Sequence, residues 1–289
     1  MQRILVRVKS TAPTKRERAM ARPYSQKLIQ TFIIMKKFIF SLAALCMGMC
    51  AMAQSNVYAY QKDGETLELE VSNLDSISFT KPTKATQNGY TWVELGLPSG
   101  LRWAAYNIGA KKPEEYGNYY AWGEIATKTT YDWSTYKYAD GSFSTLTKYC
   151  NGSNYGKDSF TDELTTLTAA DDAATQSWGG NWRMPTIDEW QELIDNCDCN
   201  WTTDYNNTGV AGCVLTSKIN GSSIFLPAAG YYDEGTLESV GAYGGYWSST
   251  LYTSYPNDAK GTSAHSGGIN TNGSFGRYYG RTIRPVLCK

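Results

Sequence analysis

One histidine, His265, is all that the 289 residues of the chain contain. A nucleophilic serine or cysteine needs a base within reach. His265 sits in a Gly/Ser-rich stretch that marks no carboxylate partner, so Ser248 reads as a strand-end hydrogen bonder beside a core Trp247 rather than a nucleophile. Paired C-x-x-C spacing is missing, which argues against a zinc site and leaves no metal ligand set to name. Glycoside hydrolysis needs two carboxylates at a set separation, and no motif singles out a pair from Glu189, Asp233 and Glu234. No segment recurs at a period of 20 to 50 residues, so a solenoid is excluded. Apart from Phe38 to Met49 the chain also lacks long apolar runs.

Net charge is absent as well, with 27 bases against 27 acids, but the balance averages unlike parts. Residues 1–34 hold eight Lys/Arg and one acid, followed by Met35-Lys36-Lys37, the apolar run and the small-residue Ala51-Met52-Ala53. Residues 35–53 read as a secretory signal peptide, and residues 1–34 as an upstream extension or a long basic leader. Cleavage after Ala53 leaves 236 residues with 17 bases and 26 acids. Such a chain has no electrostatic footprint for nucleic acid and, after cleavage, no membrane span. The expectation is an exported protein, periplasmic, surface-located or secreted. Five cysteines then remain, Cys150, Cys197, Cys199, Cys213 and Cys288, so at least one is unpaired or bonded between chains. Cys197 and Cys199 are too close to bridge easily, which makes one of them with Cys213 the expected disulfide.

Residues 54–79 read as a small β segment. Val57 to Gln61 is strand-like, Asp63-Gly64 is a hairpin signal, Leu67, Leu69 and Val71 alternate with acids, and Ile77 and Phe79 suggest a third strand. Residues 80–88, with Pro82, are the expected linker. From 89 to 289 the chain is rich in Trp, Tyr and Gly, with short apolar pieces between polar loops at 124–165 and 250–280. Two helices stand out. One covers Ala169 to Trp178, its Asp171-Asp172 pair complementing the helix dipole. The other starts at Thr186, where Glu189 completes a capping box and Trp190, Leu193, Ile194 and Cys197 form one apolar face. Few helices, short strands and long loops make an α+β domain.

Gly179-Gly180-Asn181-Trp182-Arg183-Met184-Pro185-Thr186 opens that second helix. Together with Asp171-Asp172-Ala173-Ala174, Ile224 to Gly230, Gly245-Tyr246-Trp247-Ser248-Ser249 and Arg284-Pro285-Val286, it resembles the Fibrobacter succinogenes major paralogous domain over residues 89–289. That family is related to the C-type-lectin-like and sulfatase-modifying-factor folds. The resemblance implies a C-type-lectin-like domain with short twisted antiparallel strands and long loops. The calcium motifs of sugar-binding C-type lectins, Glu-Pro-Asn or Gln-Pro-Asp with a later Trp-Asn-Asp, do not occur, and Pro256-Asn257-Asp258 is the nearest echo. Calcium therefore has no identifiable site, although oxygen-rich loops can hold it. No cofactor is expected. The sulfatase-modifying relatives use paired cysteines and copper, and Cys213 and Cys288 lack any such context. Arg183 and Arg284 read as structural arginines, either able to pair with Glu189 or Asp188.

Between Gly241 and Thr282, 29 of 42 residues are Gly, Ser, Thr, Tyr or Asn. Paratopes use this composition, with rigid Tyr for area and small polar residues for adaptable hydrogen bonds. The candidate ligand-binding residues are Tyr252, Tyr255, Asn257, Asp258, Asn270, Asn272, Tyr278 and Tyr279. Aromatic faces suit sugar rings. The leading expectation is a non-enzymatic binder of a glycan or a cell-surface protein. The alternatives are a structural subunit of a surface assembly docked through residues 54–79, or an enzyme related to the formylglycine-generating cysteine oxidases.

Overall fold

A computed structural model describes residues 84–288 and, ahead of them, two short strands. The chain divides between Thr80 and Lys81 into two units. In the first, β1 (Asn56–Tyr60) pairs antiparallel with β2 (Thr66–Glu70), Asn56 opposite Glu70 and Tyr60 opposite Thr66. The stretch expected as a signal peptide, residues 1–34, the expected Asp63-Gly64 hairpin signal, Gln61, Val71, Ile77 and Phe79 lie outside the described residues.

The second unit is α+β, with two α-helices and many antiparallel strands among its described residues. Lys84–Gln87, within the stretch expected as linker, form strand β3, which turns through Asn88-Gly89 into β4 (Tyr90–Glu94). Both turn residues have positive φ, 52° and 81°, the backbone of a two-residue hairpin of the kind that Asn-Gly favours. Strand β5 (Arg102–Ala104) follows β4, and the short β6 (Trp182–Arg183) lies at the far side. The closing strand, β15 (Val286–Leu287), slots between β5 and β6, giving the order β3-β4-β5-β15-β6.

Because alternate residues of a strand face opposite sides, this sheet separates two cores. Trp92, Ala104, Trp182 and Leu287 face an aromatic cluster with Trp122, Trp178 and Trp247. Val93, Trp103 and Val286 face an aliphatic one with Leu95, Leu193, Leu215 and Leu226.

Helix α1 (Ala173–Trp178) is shorter than expected. Its N-cap, Asp172, has extended backbone and accepts from Thr175 N, so Ala169–Asp171 form a separate turn. Asp171 does not serve the helix end. It is buried and accepts from the hydroxyls of Tyr138 and Tyr149 and, at 2.5 Å, from Lys148 Nζ. Burial raises this carboxyl, but the donated bonds outweigh burial and hold it at about 2. Helix α2 (Ile187–Asn196) begins with the reciprocal capping box of Thr186 and Glu189 and buries Ile187, Trp190 and Leu193, while Ile194 is half-buried. Arg183 forks onto Glu189, with Nη1 2.7 Å from Oε2.

From α2 the chain runs through the meander β7 (Cys197–Thr202), β8 (Gly212–Ser217) and β9 (Ser223–Pro227), then the hairpin β10 (Tyr231–Asp233) and β11 (Thr236–Glu238). Cys199 of β7 and Cys213 of β8 form a disulfide, while Cys150 and Cys197 are buried free thiols and Cys288 is partly exposed.

Residues 250–280, expected as a long loop, are largely sheet. Strands β12 (Tyr243–Leu251), β13 (Asp258–His265) and β14 (Gly268–Gly276) pair antiparallel in sequence order. The reason is volume. A Cβ on Gly261 would stand 2.6 Å from the Tyr246 carbonyl oxygen, and one on Gly273 would collide with the Phe275 ring, so these glycines give Phe275 its place. Segment 124–165 is largely irregular, anchored by the buried rings of Tyr131, Tyr136, Tyr138 and Tyr149. Three arginines of the closing stretch, Arg277, Arg281 and Arg284, are buried. Arg284, read from sequence as able to pair with Glu189 or Asp188, instead donates to Asn107 Oδ1 and to the carbonyls of Ala104, Ala105 and Phe225, and makes no ion pair among the described residues. Burial lowers its pKa to about 10.

Candidate functional site

Where the first turn of α2 meets β13 and β14, the surface dips into a cavity of about 250 Å³. Three elements build it. Helix α2 contributes Ile187, Asp188 and Gln191, one turn of a helix whose start is fixed by the capping box. Strands β13 and β14 contribute the cross-strand partners Lys260 and Ser274, with Thr271, Asn272 and Gly273 at the sheet edge. Tyr252, just past β12, forms an aromatic wall, its ring 5.9 Å from Lys260 Nζ and 5.8 Å from the Tyr255 ring. Thr271 Oγ1 donates to Gln191 Oε1 at 2.5 Å and ties the edge strand to the helix.

The polar groups are unevenly engaged. Ser274 Oγ donates to Asp258 Oδ2 at 3.1 Å, and Asn257 Nδ2 donates to Asp258 Oδ1 at 3.0 Å. Burial raises the Asp258 carboxyl above its ordinary range, against the Ser274 hydrogen bond. Neither Lys260 nor Asp188 forms an ion pair among the described residues, and both residues line the cavity. An ammonium, a carboxylate, amides, hydroxyls and one aromatic face suit a compact ligand rich in hydroxyls. The volume lies just below the roughly 300–1,000 Å³ usual for small-molecule pockets. That fits a terminal group better than an extended chain.

Of the eight residues singled out from sequence, Tyr252 and Asn272 line this cavity. Tyr255 and Asn257 occupy the adjoining turn and Asp258 opens β13; Tyr255 is 54% exposed while Asn257 and Asp258 are half-buried. Asn270 sits toward the other end of β14, its side-chain oxygen accepting from Asn272 N at 3.3 Å. Tyr278 and Tyr279 belong elsewhere. They pack at the aromatic cluster with ring centroids 4.4 Å apart, and Tyr278 Oη donates to Asp233 Oδ1 at 3.0 Å. The eight residues therefore do not form one face. Asp188, Gln191, Lys260 and Ser274 were missed. The helix pair Ile187 and Gln191, four residues apart, was the available signal.

Ser248 is buried and donates to the Lys260 carbonyl at 2.8 Å, a structural bond. Cys213 is committed to Cys199, and Cys288 instead accepts from Arg183 Nε at 3.1 Å. Among the described residues no group of three or more His, Cys, Asp or Glu side chains is placed to hold a metal ion, and no helix is long and apolar enough to cross a membrane. No protein-family model, no curated protein and no solved structure matches the chain.

Proposed function

We propose that the chain is an exported, non-enzymatic glycan-binding protein with a C-type-lectin-like domain, and that it binds a terminal sugar in the cavity between α2 and the β13–β14 edge. The observation that carries this reading is the cavity lining, in which the Tyr252 ring stands beside uncommitted polar groups of Asp188, Lys260 and Asn272. Sugars present apolar ring hydrogens on one face and hydroxyls around the rim, and an aromatic wall with polar neighbours complements both. The signal-peptide-like segment 35–53 supports export, and the motif order around Gly179 to Trp190 supports the family resemblance.

A glycan array probed with the chain, with and without calcium, tests the reading. Binding is expected to a restricted set of glycans and to fall about tenfold or more in Tyr252→Ala, while thermal unfolding stays unchanged. Silence across the array, or binding indifferent to Tyr252→Ala and Lys260→Ala, would refute it.

A further inference from the structure

Three lysines are half-buried among the described residues, Lys128, Lys148 and Lys260. Two of them hold a carboxylate, Lys128 that of Glu124 at 2.9 Å and Lys148 that of Asp171 at 2.5 Å. Lys260 holds none. Its ammonium has neither an ion-pair partner nor a hydrogen-bond acceptor among the described residues, although it stands on β13, the middle strand of its sheet. The Tyr252 ring centroid lies 5.9 Å from Nζ, which puts the ammonium beside the aromatic wall of the α2 cavity.

The neighbours of Lys260 explain why nothing within the protein neutralises it. Asp258, two residues earlier and on the same face of β13, accepts from Asn257 and Ser274. Ser274, opposite Lys260 across the ladder, gives its hydroxyl hydrogen to that carboxylate. Gln191 is committed at both ends, accepting from Thr271 and donating to Asp195. Asp188 has its own reason to be where it is. It is exposed on the first turn of α2, where the positive end of the helix dipole favours a carboxylate. Lys260 has no such reason. A half-buried ammonium is partly stripped of water, and desolvation of a charge is costly unless a counter-charge or acceptor replaces the water.

We infer that Lys260 sets the ligand class of this cavity, which takes a terminal acidic sugar with its carboxylate on the Lys260 ammonium and its ring against Tyr252. The inference rests on the glycan-binding reading of the cavity and narrows it. Asp188 forms no ion pair with Lys260, so a ligand carboxylate has no internal partner to displace. The Asn272 side chain, free of hydrogen bonds among the described residues, offers donors and an acceptor to the sugar hydroxyls.

The probes are oligosaccharides ending in glucuronate, galacturonate or N-acetylneuraminate, each paired with its methyl ester, which keeps the ring and removes the charge. At least one acid is expected to bind the chain about tenfold or more tighter than its ester, as a charge-assisted hydrogen bond implies. Added salt should shrink that ratio. Lys260→Gln should bring it near unity, and Lys260→Arg should keep most of it. Because Lys260 has no internal partner to lose, Lys260→Gln should leave the unfolding midpoint unchanged. Tyr252→Ala should weaken acid and ester alike and leave their ratio as it was. Esters that bind as tightly as every acid, or a ratio that survives in folded Lys260→Gln, overturn the inference while the cavity reading stands. Loss of the ratio in Asp188→Asn but not in Lys260→Gln overturns it too. Silence of every acid and ester also overturns it, and a glycan array silent as well would remove the cavity reading with it.

Discussion

Toward α2, the β12–β14 sheet presents Tyr246 and Ala264, which join an aliphatic cluster with Trp190, Leu193 and Val286. On its other face Trp247, Leu251, Ala259 and Phe275 meet Trp122, Tyr136, Tyr149 and the buried guanidinium of Arg281. The aliphatic residues of the first face are held by burial and dispersion, which are non-directional, and its two rings add one bond each, Tyr246 Oη to the Pro227 carbonyl at 2.7 Å and Trp190 Nε1 to the Trp247 carbonyl at 3.3 Å. The second is threaded with directed bonds. Trp122 Nε1 donates to the Ser248 carbonyl, Trp247 Nε1 to the Tyr120 carbonyl and Tyr136 Oη to the Trp122 carbonyl, each at 2.8 Å. A substitution at an aliphatic residue of the first face therefore removes volume alone, whereas one at Trp122, Tyr136 or Trp247 also removes a hydrogen bond to a buried carbonyl. The aliphatic face should tolerate repacking, and the aromatic face should not.

The largest test of that contrast is in the cores. Trp247→Ala is expected to cost about 3–5 kcal/mol, measured by denaturant unfolding. The sharper pair is Trp247→Phe against Leu193→Met. The volume-conserving Leu193→Met should cost under about 1.5 kcal/mol, and Trp247→Phe should exceed it because it both removes volume and takes from the Tyr120 carbonyl one of its two donors, leaving Arg281 N. Equal costs would break the comparison. Next, reduction of Cys199–Cys213, 14 residues apart, should cost up to about 3 kcal/mol by the chain-entropy estimate for such a loop. The loss should be smaller if the β7–β8 hairpin persists in the denatured chain.

A third test titrates the polar side. Asp171 has its pKa depressed to about 2, from an ordinary value of about 3.9. Its contribution to stability is complete above the unfolded value and is lost as pH falls through about 2. Asp171→Asn should flatten the stability profile between about pH 4 and 2 and lower stability at neutral pH by about 1–3 kcal/mol, since buried hydroxyls lose a charged acceptor. An unchanged acid limb would show that the carboxylate does not hold this region. Smallest is Thr186→Ala, about 1 kcal/mol from loss of the cap at α2, read as a modest fall in thermal midpoint. A larger fall would mean that the helix start braces more than its own first turn.

Legibility in the sequence followed how local the cause was. The capping box at Thr186 and Glu189 and the stripe of Trp190 and Leu193 rest on spacings of three or four residues, and the structure contains both. Spacing also pointed to a bond from Cys213 to Cys197 or Cys199 without choosing between them, and the structure makes it with Cys199. Strands β13 and β14 were not, because Gly261 and Gly273 are small for the sake of Phe275, leaving a composition that imitates a loop. The Asn88-Gly89 turn was a local signal passed over. The cavity was half legible. Tyr252 and Asn272 came from the Tyr/Asn-rich stretch, but Asp188 and Gln191 reach it only because tertiary packing sets α2 against β14.

The closing strand β15 sits at an interior position of its sheet, against β5, whose partners lie some 180 residues earlier, as the Arg284 bond to the Ala104 carbonyl records. Pairings this remote in sequence slow folding, because the loop between them must be closed before the contact offers any reward. A chain emerging from its amino end therefore holds an open seam between β5 and β6 until residues 282–287 arrive. Strands β3, β4 and β5 can pair with their sequence neighbours beforehand, and β15 then joins them to β6 as the last step.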